Sequence, residues 1–80
     1  MFLAAQVSIY PLRQSRLSPA IDRALGIFRD HGLEVTPGTM SSVVSGEDEV
    51  LLTAIKEVFQ QTAELVMIVT LSNACPVPGS

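Results

Sequence analysis

The stretch GLEVTPGTMSSVVSGE, residues 32–47, decides the fold. It holds two short strand-like runs and no helical period. LEVT (33–36) reads as a short strand at a sheet edge, Pro37-Gly38 as a turn or kink, and MSSVVS (40–45) as a second strand. Both faces of the second run carry serine. Its register, and with it the facing of Ser41 and Ser42, stays open.

Helical patterns flank this stretch. Upstream, residues 18–32 place Ile21, Ala24, Leu25 and Phe28 on one apolar stripe. Ser18 is the expected N-cap, Pro19 suits the first helical position, and Gly32 is the expected left-handed stop. Downstream, a helix runs from Gly46 to about Gln61. Glu47, Asp48 and Glu49 sit where the helix dipole favours acid, and Leu51, Ile55, Val58 and Phe59 form its buried stripe.

Strands lie outside both helices. In LAAQVSIY (3–10), Leu3, Ala5, Val7 and Ile9 alternate with Ala4, Gln6, Ser8 and Tyr10, and Pro11 ends the run. In Leu65–Ser72, Leu65, Met67, Val69 and Leu71 share one face; Val66, Ile68, Thr70 and Ser72 share the other. The order β-α-β-β-α-β predicts an α+β, ferredoxin-like fold: a four-stranded antiparallel sheet with two helices on one face. The first and third strands are expected at the centre.

Composition sets bounds. Eighty residues are expected to make a single module, 1–80. Hydrophobic residues are 48% of the chain and charged ones 16%, a surplus of apolar material that points to surface buried against another subunit or a ligand. A net charge of −3 argues against nucleic acid as a partner. A lone cysteine forms no internal disulfide, and no apolar run approaches the roughly 20 residues that span a bilayer. The expectation is a cytoplasmic protein without membrane insertion.

With both helices on one side, the other sheet face presents Ala4, Gln6, Ser8 and Tyr10 beside Val66, Ile68, Thr70 and Ser72. Such a face suits a flat, neutral, hydrogen-bonding small molecule, or a subunit interface with satisfied serines. Other occupations of this fold fit poorly. RNA recognition needs stacking aromatics, and only Tyr10 lies on this face. A phosphate-cradling enzyme needs a glycine-rich turn, which PLRQSRLS lacks although Arg13 and Arg16 are near. One His and one Cys cannot build a zinc site. His31 reads as a helix-end residue and Cys75 as a tolerated thiol, so no catalytic group is assigned.

The segments AQVSIYPL, GLEVTPGTMSSVVSGE and above all VMIVTLSNACP resemble the YkoF-like family of thiamine- and hydroxymethylpyrimidine-binding proteins, over residues 4 to 76. The resemblance implies binding of thiamine or its hydroxymethylpyrimidine moiety without catalysis or cofactor, serving thiamine precursor uptake or salvage. It also implies a homodimer or homotetramer formed through sheet faces. Carried over residue by residue, it marks Ser8 and Tyr10 on the first strand, Met40, Ser41 and Ser42 before the second helix, and Ser72, Asn73 and Cys75 at the end of the last strand. Ser45 departs from the family, which usually has an acid there, and the link between the second helix and the last strand is short. The SNACP segment then reads as a pocket wall; without the resemblance it reads as a strand end with prolines guarding the edge. The alternative is a regulatory or oligomerisation module of the same fold, such as an amino-acid sensor.

Overall fold

A computed structural model describes residues 1–13, 16–62 and 64–74. The elements run β1 (Phe2–Pro11), α1 (Ser18–Asp30), β2 (Glu34–Thr36), β3 (Ser42–Glu47), α2 (Asp48–Gln61) and β4 (Leu65–Ser72). The four strands form one antiparallel sheet in the order β2-β3-β1-β4. This is the ferredoxin-like α+β arrangement, with β1 and β3 central as expected.

Alternation along β1 decides which face is buried. Leu3, Ala5 and Val7 join Ala24, Leu25, Ile27 and Phe28 of α1, Val44 of β3, and Leu51, Ala54 and Val58 of α2 in one core. Residues of both helices thus meet the same row of β1. Register fixes the opposite face: Gln6 lies beside Val43 and Thr70, Ser8 beside Ile68, Tyr10 beside Val66, and Ala4 between Ser45 and Ser72. Cross-strand partners point to the same side, so the open face anticipated from the sequence is present.

Several boundaries move. The first helix begins a residue early, with Leu17 O accepting from Ile21 N at 3.1 Å. Leu17 therefore takes the N-cap position, and Ser18, inside the first turn, makes no side-chain cap. The helix ends at Asp30, and Gly32 adopts φ 79°, the left-handed stop its position predicts. The third strand spans 42–47, two residues later than the serine pattern suggests. Gly38 is folded so closely against the Ser41 carbonyl that a β-carbon has no room there, which keeps residues 38–41 in a loop. Extended structure then runs through Gly46, which lies beneath the Leu33 side chain, and α2 starts only at Asp48. There the Met1 ammonium donates to Glu47 Oε2 at 3.0 Å and Asp48 Oδ1 at 3.3 Å, while Asp48 N donates to Met1 O at 2.9 Å.

Two side chains expected in the core lie outside it. Phe59 is 49% exposed, because α2 turns Leu51, Ala54 and Val58 into the core and leaves Phe59 off that stripe. Leu71 is 47% exposed. Helix α1 lies over β2 and β1, and α2 over β3 and β1, so β4 sits at the margin of the helical layer. His31 ends α1 with its backbone N–H donating to Ile27 O, and its ring Nε2 lies 3.2 Å from Glu57 Oε2 on α2. Arg13, at φ 56°, is held by Glu64 through a two-pronged ion pair at 2.7 and 2.8 Å. No helix among the described residues is long and apolar enough to cross a membrane.

Candidate functional site

The β2–β3 loop rises from the edge of the open face and borders an open pocket of about 480 Å3. Thr36 and Val43, which face each other across β2 and β3, form its floor with Gln6 of β1. Pro37, Gly38, Thr39, Met40 and Ser41 form its wall. The tight approach of Gly38 to Ser41 gives this wall its shape, and Pro37 restricts the chain entering it.

One hydrogen bond ties floor to wall. Gln6 Nε2 donates to Ser41 Oγ at 3.2 Å, part-buried. A carboxamide has two N–H donors and an acceptor oxygen, so one bond to Ser41 leaves an N–H and the carbonyl for another partner. Met40, 83% exposed, stands over the opening as a flexible, polarizable flank. The lining carries hydroxyls, one amide and apolar carbon, and no charged side chain among the described residues. The nearest acid by register is Glu34, opposite Ser45 on the open face and two residues before Thr36 on β2.

The sequence-derived site residues are not all gathered here. Met40 and Ser41 line the cavity. Ser42 has turned to the helix side, where it is buried beside a small space of about 80 Å3 shared with Val7, Ile9 and Ile21. The structure thus settles the facing of the two serines: they point to opposite sides of the sheet. Ser8 and Tyr10 lie on the open face farther along β1, outside the cavity lining. Ser72 and Asn73 lie toward the opposite end of the face. There the Ser72 hydroxyl donates to Ala74 O at 2.5 Å and accepts from Ala74 N at 3.0 Å, which turns the chain out of β4. Asn73 is exposed and does not line the cavity. Cys75 lies outside the described residues.

Gln6 is the residue that sequence reading placed on the face without making it part of the site. Its signal was an amide alternating with small and apolar residues on a central strand. Thr36 and Val43 had no comparable signal, since they join the cavity only through the β2–β3 register. Among the described residues no three of His, Cys, Asp and Glu gather as a metal centre requires.

No family model matches the chain, and no curated protein does. Solved structures do. A hypothetical protein of Methanocaldococcus jannascii superposes with a TM-score of 0.77 at 24% identity, over 99% of this chain and 87% of its own. A protein of Thermotoga maritima, described as a "putative thiamine biosynthesis/salvage protein", gives 0.77 at 22% identity, over 92% of this chain and 85% of its own. A domain of unknown function, DUF77, from Bacillus cereus gives 0.76 at 19% identity, over 92% and 77%. At these identities the likeness establishes the fold, which hosts many unrelated activities.

Proposed function

We propose that this chain is a non-catalytic binding protein for thiamine or its hydroxymethylpyrimidine moiety, acting in the cytoplasm in uptake or salvage of thiamine precursors. The observation that carries the reading is the cavity whose floor presents the Gln6 carboxamide, oriented by Ser41. An aminopyrimidine edge pairs an exocyclic amine donor with a ring-nitrogen acceptor. The free oxygen and N–H of Gln6 complement that edge two bonds at a time, as asparagine and glutamine do with adenine. Met40 supplies a soft surface for the ring. Glu34 compensates for Ser45: the carboxylate that this chain lacks at 45 stands directly across the register and faces the same side, where it favours a cationic thiazolium. The Thermotoga maritima protein, of the same fold, is described in terms of thiamine biosynthesis or salvage, and this supports the same ligand class here. The rest of the open face, with Phe2, Tyr10, Val66 and Ile68 exposed, is covered in this reading by a second copy packed face to face.

That same apolar exposure favours a second reading, an oligomerisation or amino-acid-sensing module without thiamine affinity. Isothermal titration calorimetry with thiamine, then hydroxymethylpyrimidine, separates the two. The binding reading expects about one ligand per chain at micromolar affinity or tighter, weakened by Gln6→Ala and Ser41→Ala with the fold retained. A folded oligomer that is silent with both ligands overturns it.

A further inference from the structure

Strand β1 outruns β3. Its pairing with β4 continues to Pro11, but its pairing with β3 stops at Val7, opposite Ser42. Two backbone bonds fix which way each residue of β1 points. Leu12 N donates to Glu64 O on the β4 side, and Met1 O accepts from Asp48 N on the β3 side. Residues of a central antiparallel strand bond to one neighbour and then the other, so even residues of β1 bond toward β4 and odd residues toward β3. Ile9 is therefore the next residue after Val7 to turn its N–H and C=O toward β3. Its counterpart in that register is Met40, which lies in the loop and is 83% exposed. Among the described residues, the Ile9 N–H and C=O have no backbone partner on that side.

This gap opens onto the small space of about 80 Å3 on the helix side, between Val7, Ile9 and Ile21 and the loop that leads from Gly38 to Ser42. Ser42 is 8% exposed, and its hydroxyl has no hydrogen-bond partner among the described residues. A backbone donor, a backbone acceptor and a buried hydroxyl thus border one space with no charged side chain in its lining. Buried polar groups are rarely left unpaired.

We infer that this notch is a second binding site, for the terminal carboxamide of a small neutral molecule. Water occupies about 30 Å3 in the liquid, so the space of about 80 Å3 takes a group of about three heavy atoms. A carboxamide has that size and holds a donor and an acceptor side by side. Its N–H donates to Ile9 C=O. Its oxygen, with two lone pairs, accepts from Ile9 N–H and from the Ser42 hydroxyl. Val7 and Ile21 flank these bonds with apolar carbon. A carboxylate has no donor for Ile9 C=O, and an ammonium has no acceptor for Ile9 N–H. The inference is independent of the thiamine reading, which uses Gln6 on the opposite face.

Acetamide and acetone are matched in size and differ in the N–H donor. Each is titrated into isotope-labelled protein and followed by heteronuclear NMR. Acetamide is expected to give saturable shifts at the amides of Ile9 and residues 38–42, and acetone none. Ser42→Ala should weaken acetamide binding by about 2- to 10-fold. It should not lower the melting temperature, since it removes a buried hydroxyl that has no bond to lose. Ile21→Phe, which fills the space from α1, should abolish the shifts, with circular dichroism confirming the fold. Equal responses to acetamide and acetone, or no response to either, overturn the inference. So does acetamide binding that is unchanged in Ser42→Ala or that persists in folded Ile21→Phe. A less stable Ser42→Ala also overturns it, by showing that the hydroxyl is already bonded within the protein.

Discussion

The hydrogen bond from Gln6 to Ser41 is the smallest structural element on which the functional reading depends, and a double-mutant cycle measures it. The bond is neutral, part-buried and 3.2 Å long. Side-chain bonds of this kind contribute about 0.5–1.5 kcal/mol net. Its length, at the long end for N–H···O, places it at about 0.5–1 kcal/mol. In a chain of this size, 1 kcal/mol moves the melting temperature by about 4–8 °C, so Gln6→Ala and Ser41→Ala should each lower it by about 2–8 °C. The double variant should cost little more than the worse single one, because both substitutions remove the same bond. The assay is urea denaturation followed by far-UV circular dichroism on all four proteins, with the coupling energy read from the cycle. Additive single effects would refute the tie between floor and wall. If the bond is confirmed, ligand affinity provides a second readout. Gln6→Ala should lose about 1–3 kcal/mol, roughly 5- to 150-fold, since it also leaves the ligand edge unpaired. Ser41→Ala should lose less, since the amide is then present but no longer oriented.

Three other perturbations have defined outcomes. Phe28→Ala empties a fully buried site between helices and sheet and should cost about 3–5 kcal/mol, measured by the urea midpoint at constant slope. Gly46→Ala puts a methyl group where Leu33 now packs, and displacement of that side chain should cost about 1–3 kcal/mol, again by urea denaturation. Stability should also depend on pH at both ends of a window. Hydrogen bonds to Glu47 and Asp48 raise the Met1 ammonium above its ordinary 8.0, so its contribution is complete below pH 8 and lost as pH rises through the raised value. The bond from that ammonium holds Asp48 below its ordinary 3.8, so its contribution is present above that pH and lost as pH falls through the lowered value. The contribution of this pairing should therefore be constant between these limits, and acetylation of the amine should remove its share of the alkaline decline.

The sequence made some of this readable and hid the rest for physical reasons. The bounds of β4 were legible because eight β-prone residues run unbroken between polar flanks. The faces of β1 were legible because Leu3, Ala5 and Val7 alternate cleanly with smaller and polar partners. The start of β3 was not, since serines on both faces offer no hydrophobic difference to set a register; the close approach of Gly38 to Ser41 settled it. Phe59 was assigned to the core by its spacing, but the buried stripe of α2 runs through Leu51, Ala54 and Val58, and small Ala54 carries too weak an apolar signal to reveal that rotation in the sequence. The candidate site followed the same division. Met40 and Ser41, marked by the family resemblance, line the cavity, whereas Gln6, Thr36 and Val43 come together only through strand pairing. Asn73 and Ser72 drew attention as a motif, yet the Ser72 hydroxyl is engaged in closing its own turn.

The unequal lengths of the strands also imply a gradient of mobility across the sheet. Strand β2 is joined to β3 along only Glu34, Val35 and Thr36, whereas β1 and β4 are joined from Ala4 to Pro11. Short pairings at an edge open at the lowest free energy, so amide hydrogens of β2 should exchange first and those shared by β1 and β4 last. The cavity wall hangs from the strand that opens most readily. A ligand held between Gln6 and Met40 would therefore act as a latch on β2, and slowed exchange at residues 34–36 would report its arrival.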